Sequence, residues 1–256
     1  MAIEMGIGGL ARRAAKEGVP MAMVEKHYAL TIILEEIAGS GLKDALVFKG
    51  GTAIRKIHFP EARFSEDLDF TVIKLAPEGI KESIGRLFAN KKMGGIEVLA
   101  VEHEKTAAGL RMALKAVGPL KHPQRIRLDF SFREMPSAPT KCERIIGDYG
   151  ANRCRIAAMG LEEMLAEKLR AISSRSAPRD LYDIWFLMDK GVKIDKRLVA
   201  KKFAVYGEKF ELGKAKTRVG GFKANWDRDL RQLMRQVPPF ETAEKYVIER
   251  LEKEFS

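Results

Sequence analysis

Apolar and polar positions alternate most strictly from Arg125 to Phe132. Ile126, Leu128, Phe130 and Phe132 fall on one side of an extended chain, Arg125, Arg127, Asp129 and Ser131 on the other. The same period sets Leu68, Phe70 and Val72 against Asp67, Asp69 and Thr71 in a strand over 67–73. Apolar content predicts further strands at 45–49, from Ile96 to His103 and from Leu110 to Val117, with Lys105 to Gly109 as a hairpin loop. Helical spacing marks 21–38, 52–58 and 78–92 in the first part of the chain. After residue 158 the pattern is helical to the end, at 161–173, 178–190, 194–206, 226–236 and 241–254, with Pro238-Pro239 before the last helix. Pro136 to Ala158 reads as irregular, apart from one short strand near Arg155, and marks a boundary. The pattern predicts an α/β (α+β) chain, with a core in residues 1–155 and a helical domain in 156–256.

Composition narrows the class. With 46% hydrophobic and 32% charged residues, a chain of 256 residues can bury a sizeable core and stay soluble. No apolar run approaches the roughly 18 residues that span a bilayer, and residues 1–20 lack a secretory pattern, so a cytoplasmic monomer is expected. Cys142 and Cys154 fit neither a zinc motif nor a disulfide framework. The net charge is +11, and Lys190 to Arg235 alone holds 14 Lys/Arg against 5 Asp/Glu. Such a segment attracts polyanions, and Lys201, Lys202, Lys214, Lys216 and Arg218 are its candidate contacts.

The candidate chemistry lies where the acidic strand follows a glycine turn. Two carboxylates, Asp67 and Asp69, share one strand face and suit a hard cation, Mg²⁺ or Mn²⁺. Paired metals stabilise the entering and leaving oxygens of a phosphoryl or nucleotidyl transfer. Upstream, Gly50-Gly51-Thr52 opens a helix directly after a strand, so backbone amides can approach a phosphate chain. The P-loop spacing is absent. Asp129 would complete metal binding, take a proton from an attacking hydroxyl, or pair with Arg127 or with an arginine of a neighbouring strand. In the helix from Leu161 to Ile172, Lys168 falls inside the apolar stripe, so either that face lines a cleft where a triphosphate can be met or Lys168 snorkels past the core with its head in water. Asp180 and Asp183 lie together on one edge of the next helix. Either could orient Lys168 or a base. Asp180 also suits a first helical turn, and Asp183 could pair with Arg179. Arg175 and Arg179 are candidate phosphate contacts.

These residues resemble a known family. Leu46 to Ile54 (LVFKGGTAI), Arg63 to Phe70 (RFSEDLDF), Leu161 to Ala171 and Arg179 to Leu187 are similar, in order and spacing, to the motifs of the AbiEii/AbiGii toxin nucleotidyltransferases. The resemblance runs from roughly residue 20 to 190. It implies a polymerase-β-like nucleotidyltransferase core with a mixed sheet, followed by the helical domain, with the active site between them. It implies a divalent metal held by Asp67 and Asp69. A nucleoside triphosphate would be held by Gly50, Gly51, Thr52, Arg63 and Ser65, with Lys168 and Arg179. The functional acid is Asp180 or Asp183. RNA, foremost the 3′ end of tRNA, is the implied acceptor, and a protein antitoxin the implied partner. A phosphotransferase or protein-nucleotidylating enzyme on the same fold, or a non-catalytic nucleotide- or RNA-binding regulator, are the rival readings.

Overall fold

The computed structural model describes residues 4–106, 109–146, 149, 154–175 and 177–256. The chain divides into two compact units, Met1–Pro136 with Thr140–Met159, and Ser137–Pro139 with Gly160–Ser256.

The first unit is built on an eight-stranded mixed sheet. Its strands are β1 (Leu46–Lys49), β2 (Asp67–Val72), β3 (Lys92–Met93), β4 (Ile96–Thr106), β5 (Gly109–Val117), β6 (Pro123–Ser131), β7 (Lys141–Arg144) and β8 (Arg155–Ala158), in the spatial order β3-β4-β5-β6-β2-β1-β8-β7. The β2–β6 and β1–β8 pairs are parallel and the remaining pairs antiparallel. In-register apolar side chains seal one face, with Phe48 opposite Phe70, Phe70 opposite Phe130 and Phe130 opposite Leu110. The Phe70 and Phe130 rings stack at 5.5 Å between centroids. All four side chains are at most 2% exposed, and burying each contributes about 1.5–3 kcal/mol.

Helices cover the sheet. Of α1 (Ile7–Glu17), α2 (Met21–Gly39), α3 (Gly50–Ala53) and α4 (Pro77–Phe88), α2 packs on β2 and β6, and α4 on β4 and β5. Because α2 is buried almost all round, several of its polar groups find partners inside the protein. Glu25 accepts from the Leu120 amide at 2.6 Å, and the Thr31 hydroxyl donates to the His27 carbonyl at 2.8 Å.

The second unit is helical: α5 (Leu161–Ser174), α6 (Pro178–Asp189), α7 (Lys196–Ala204), α8 (Leu212–Gly220), α9 (Trp226–Leu230) and α10 (Phe240–Phe255). Leu165, Leu169, Leu181, Ile184, Phe203, Val219, Trp226 and Val247 fill its core. The Trp226 indole N–H donates to the Pro238 carbonyl at 2.8 Å.

Several expectations need correction. The helix expected over 78–92 stops at Phe88, because Asn90 takes φ 52° and Gly94 and Gly95 are also left-handed, which frees Lys92–Met93 to pair with β4. The helix expected over 226–236 ends at Leu230. The helices α1 and α8, and strand β7 within the segment read as irregular, have no counterpart among the expected elements. Residues 107–108 of the expected hairpin loop and Gly147 of the expected boundary lie outside the described residues.

Candidate active site

The polar face of the sheet carries charge in rows set by strand register. Lys49, Asp69, Asp129, Arg111 and Glu104 stand opposite one another on β1, β2, β6, β5 and β4. In the neighbouring row, Asp67 faces Arg127. Paired residues on adjacent strands point to the same side, so Asp67, Asp69 and Asp129 share one face. That face is the obverse of the phenylalanine row.

Two of the three carboxylates are held by arginines. The Arg127 Nε donates to Asp67 Oδ1 at 2.7 Å, and its Nη2 lies 3.4 Å from Oδ2. Arg111 grips Asp129 in the same way, at 2.7 and 3.4 Å. The hydrogen bond to Asp129 pushes the Arg111 guanidinium further up from its already high value. Of the two pairings open to Asp129, the one with a neighbouring strand's arginine is observed: Asp129 belongs to Arg111 on β5, whereas Arg127 sits on Asp67. At the edge of the row, Lys49 Nζ lies 3.3 Å from Glu134 Oε2, both side chains largely buried.

The glycine turn abuts this face. Gly50 has φ 78°, and a Cβ there would strike the Asp69 carboxylate, with Asp69 Cγ at 2.9 Å. A Cβ on Gly51 would lie 3.1 Å from both the Ser65 hydroxyl oxygen and Arg63 Nη2. Bare backbone at these two positions is thus what lets Asp69, Ser65 and Arg63 close round the turn. The Thr52 hydroxyl donates to the Asp67 carbonyl at 2.5 Å, tying the turn to β2. Arg63 is nearly buried and donates to the Phe64 carbonyl at 2.9 Å. Only four residues of α3 are α-helical before the chain widens into a π-turn, Ile54–His58, so a helix dipole contributes little at the turn.

The helical unit holds its own charged assembly. Lys168 Nζ lies 2.8 Å from Asp180 Oδ1 and 2.7 Å from Asp183 Oδ2. Arg175 donates to both Asp180 oxygens, at 2.7 and 3.0 Å. Asp180 and Asp183 are 1% and 3% exposed. Burial by itself would raise the Asp180 carboxyl, but Lys168 and Arg175 outweigh it and hold it well below the usual carboxylate range. The single lysine thus bridges both acids that the sequence leaves as alternatives. Arg179 stands half-buried in the first turn of α6.

The basic segment is less open than its composition suggests. Lys202 is 1% exposed and bridges Glu163 at 2.7 Å and Glu167 at 2.9 Å. It is a core ion pair and not a polyanion contact. Lys214 pairs with Glu211 at 2.6 Å, and Lys216 with Glu252. Lys193, Arg197, Lys201 and Arg218 are exposed.

A divalent cation must be tested against this donor set. Asp67, Asp69 and Asp129 offer only carboxylate oxygens on one face, which suits Mg²⁺ or Mn²⁺ in kind. Among the described residues, however, no group of three or more His, Cys, Asp or Glu is gathered as a ligand cluster. The carboxylates fit the ion by chemistry, and the arginines keep two of them engaged.

This architecture is one used by nucleotidyltransferase toxins. The fold matches that of MenT4, a nucleotidyltransferase toxin from Mycobacterium tuberculosis H37Rv, with TM-score 0.74 at 22% identity, over 96% of this chain and 88% of that one. A more distant match, TM-score 0.44 at 14% identity over 65% of this chain and 76% of the other, is to an antigenic nucleotidyltransferase-like protein from Paracoccidioides brasiliensis. No curated protein matched the sequence. The family model of the nucleotidyl transferase AbiEii toxin, type IV toxin–antitoxin system, matches residues 32–253. The chain belongs to that family: it is a nucleotidyltransferase toxin, and the type IV system implies a protein antitoxin. Among the described residues, no helix is long and apolar enough to cross a membrane.

Proposed function

We propose that the protein transfers a nucleotide from a nucleoside triphosphate to RNA, with the 3′ end of tRNA as acceptor, and does so with Mg²⁺ or Mn²⁺ in the cytoplasm. The observation that carries this reading is the juxtaposition of Asp69 with the Gly50-Gly51 turn, which sets an acidic strand face directly against bare backbone.

Gly50, Gly51, Thr52, Arg63 and Ser65 hold the triphosphate. Asp67 and Asp69 hold the divalent cation, and Asp129 completes the acid cluster. When bound, the cation neutralises charge on the phosphates and on the attacking and leaving oxygens. Lys168, set by Asp180 and Asp183, neutralises further phosphate charge, and Arg175 and Arg179 contact phosphate. The acceptor's hydroxyl oxygen bonds to the α-phosphorus as its proton passes to Asp129, the α–β phosphoanhydride bond breaks and pyrophosphate leaves. Positioning and electrostatics carry such a transfer, so no protein nucleophile is needed. The exposed cations of the helical unit support RNA as acceptor, because they attract a polyanion without regard to sequence. Loss of chargeable tRNA then explains growth inhibition and the need for an antitoxin.

The test is to incubate the protein with each α-labelled triphosphate, total tRNA and Mg²⁺ or Mn²⁺. Label should enter the tRNA band from one or few triphosphates. Label entering only protein, or none entering anything while triphosphate still binds, contradicts the proposal.

A further inference from the structure

We infer that Arg127 and Arg111 are exchange residues: they hold Asp67 and Asp129 in the free protein and pass to the triphosphate when it binds, so that the cation site forms with the nucleotide and not before it. This rests on the proposed assignment of the acidic face.

Three observations meet here. First, Arg127 lies on β6, which adjoins the acidic strand β2, and Arg111 on β5, which adjoins β6, and each grips a separate carboxylate with two nitrogens. Second, the pairs are not sealed: the Arg127 and Arg111 side chains are 41% and 38% exposed, their acids 23% and 31%. By contrast the Lys202–Glu163 pair is 1% exposed on both sides and fixed. Partly exposed ion pairs are weak enough to trade partners. Third, no described cluster of three ligands stands ready for a cation.

Electrostatics gives the exchange its direction. Three carboxylates on one face repel a polyanionic triphosphate unless cations stand among them. Guanidinium forks bind phosphate as readily as carboxylate, with the same two-point geometry. When a triphosphate reaches the glycine turn, the arginines can follow the incoming negative charge, and Asp67 and Asp129 become available to the cation that accompanies it. No bond is made or broken in this step. The consequence is order: cation and nucleotide bind cooperatively, and the free toxin takes up little metal.

The experiment is titration of the full chain with Mn²⁺ followed by electron paramagnetic resonance, with and without a non-hydrolysable triphosphate analogue, in wild type, Arg127→Met, Arg111→Met and the double variant. Triphosphate binding in excess chelator is measured alongside. In wild type, the analogue should tighten Mn²⁺ binding strongly. In the double variant, Mn²⁺ binding without analogue should tighten by roughly tenfold, the scale of releasing two modest ion pairs, while metal-free triphosphate binding weakens. Wild-type Mn²⁺ affinity that is the same with and without analogue overturns the inference. So does unchanged triphosphate affinity in the double variant, which would make the arginines mere shields. Mn²⁺ binding that survives in Asp67→Ala/Asp69→Ala instead overturns the underlying assignment of the acidic face. Circular dichroism of each variant, and recovery of metal-free triphosphate binding by Arg127→Lys, separate charge exchange from loss of structure.

Discussion

Gly50 shows how one atom decides a site. Its φ of 78° is costly for any side chain, and its missing Cβ leaves room for the Asp69 carboxylate. Gly50→Ala should therefore lower stability by about 1 kcal/mol or more and, by pushing Asp69 aside, weaken triphosphate binding in Mg²⁺. Equilibrium binding and thermal melts check both. A second residue gives a pH signature. Glu35 on α2 is lifted from 4.5 to about 7, first by burial and further by Glu36, against the pull of Lys56. Its raised folded value means that it favours the native state when protonated. That contribution is full below pH 4.5 and lost as pH rises through about 7. Glu35→Gln should remove this loss, so the variant's Tm relative to wild type should climb between pH 4 and pH 8. A constant offset across that range would contradict the assignment. Of the residue-scale chemistry, period-two alternation shows that Asp67 and Asp69 share one strand face and that Asp129 stands on the polar face of another strand; that the two faces coincide is set by the β2–β6 register. Their partners are not legible from alternation. Arg127 and Asp67 meet through a parallel pairing of strands some 60 positions apart, and Arg111 reaches Asp129 across β5 and β6. Nothing local in the chain records such registers.

At the scale of elements, α5 and α6 are joined by the Lys168 bridge. The apolar stripe alone predicts that Lys168→Met leaves stability almost intact, because a methionine fits it. The structure revises this, since Asp180 and Asp183 would remain buried with one cation fewer. Removing one partner of a buried pair typically costs about 3–5 kcal/mol. Arg175 still holds Asp180, so the low end is expected, and Lys168→Met/Asp183→Asn should recover part of the loss. Denaturant melts read the stability. Loss of transfer in the refolded double variant, together with normal transfer in Lys202→Met at permissive temperature, would separate catalytic from structural lysines. Legibility varies among elements for identifiable reasons. β6 and α10 carry clean periodicity, and their expected limits fall close to the observed ones. The α1 helix hides behind Gly8-Gly9, and α8 is a short polar run with glycine near both ends, so neither offers a pattern that outweighs its helix breakers.

At the scale of the whole molecule, the +11 net charge is the long-range property that matters for a nucleic-acid substrate. Its useful part is smaller than the sequence suggests, because Lys202 is buried against Glu163 and Glu167. Reversing exposed Lys193, Arg197, Lys201 and Arg218 to Glu should weaken RNA binding for all sequences alike. It should also flatten the dependence of log affinity on log salt by about 0.7–0.9 for each phosphate no longer neutralised. Triphosphate affinity should stay unchanged. Filter binding at several salt concentrations measures both. A charge-reversed protein with the wild-type salt slope would place the RNA surface elsewhere. The division into a sheet-bearing part and a helical part is visible in the change of period after residue 158, whereas which cations stay in solvent depends on tertiary ion pairs.

Nucleotidyl transfer itself is tested most directly by the mass of the acceptor. Purified tRNA is incubated with the protein, Mg²⁺ and the triphosphate that labels best, and the intact RNA is weighed by mass spectrometry beside an Asp69→Ala control. The tRNA should gain the mass of whole nucleotide residues at its 3′ end, with pyrophosphate released in equal amount, and the control should gain nothing. A gain of phosphate alone, a nucleotide found on protein instead of RNA, or an equal gain in the Asp69→Ala control would contradict it.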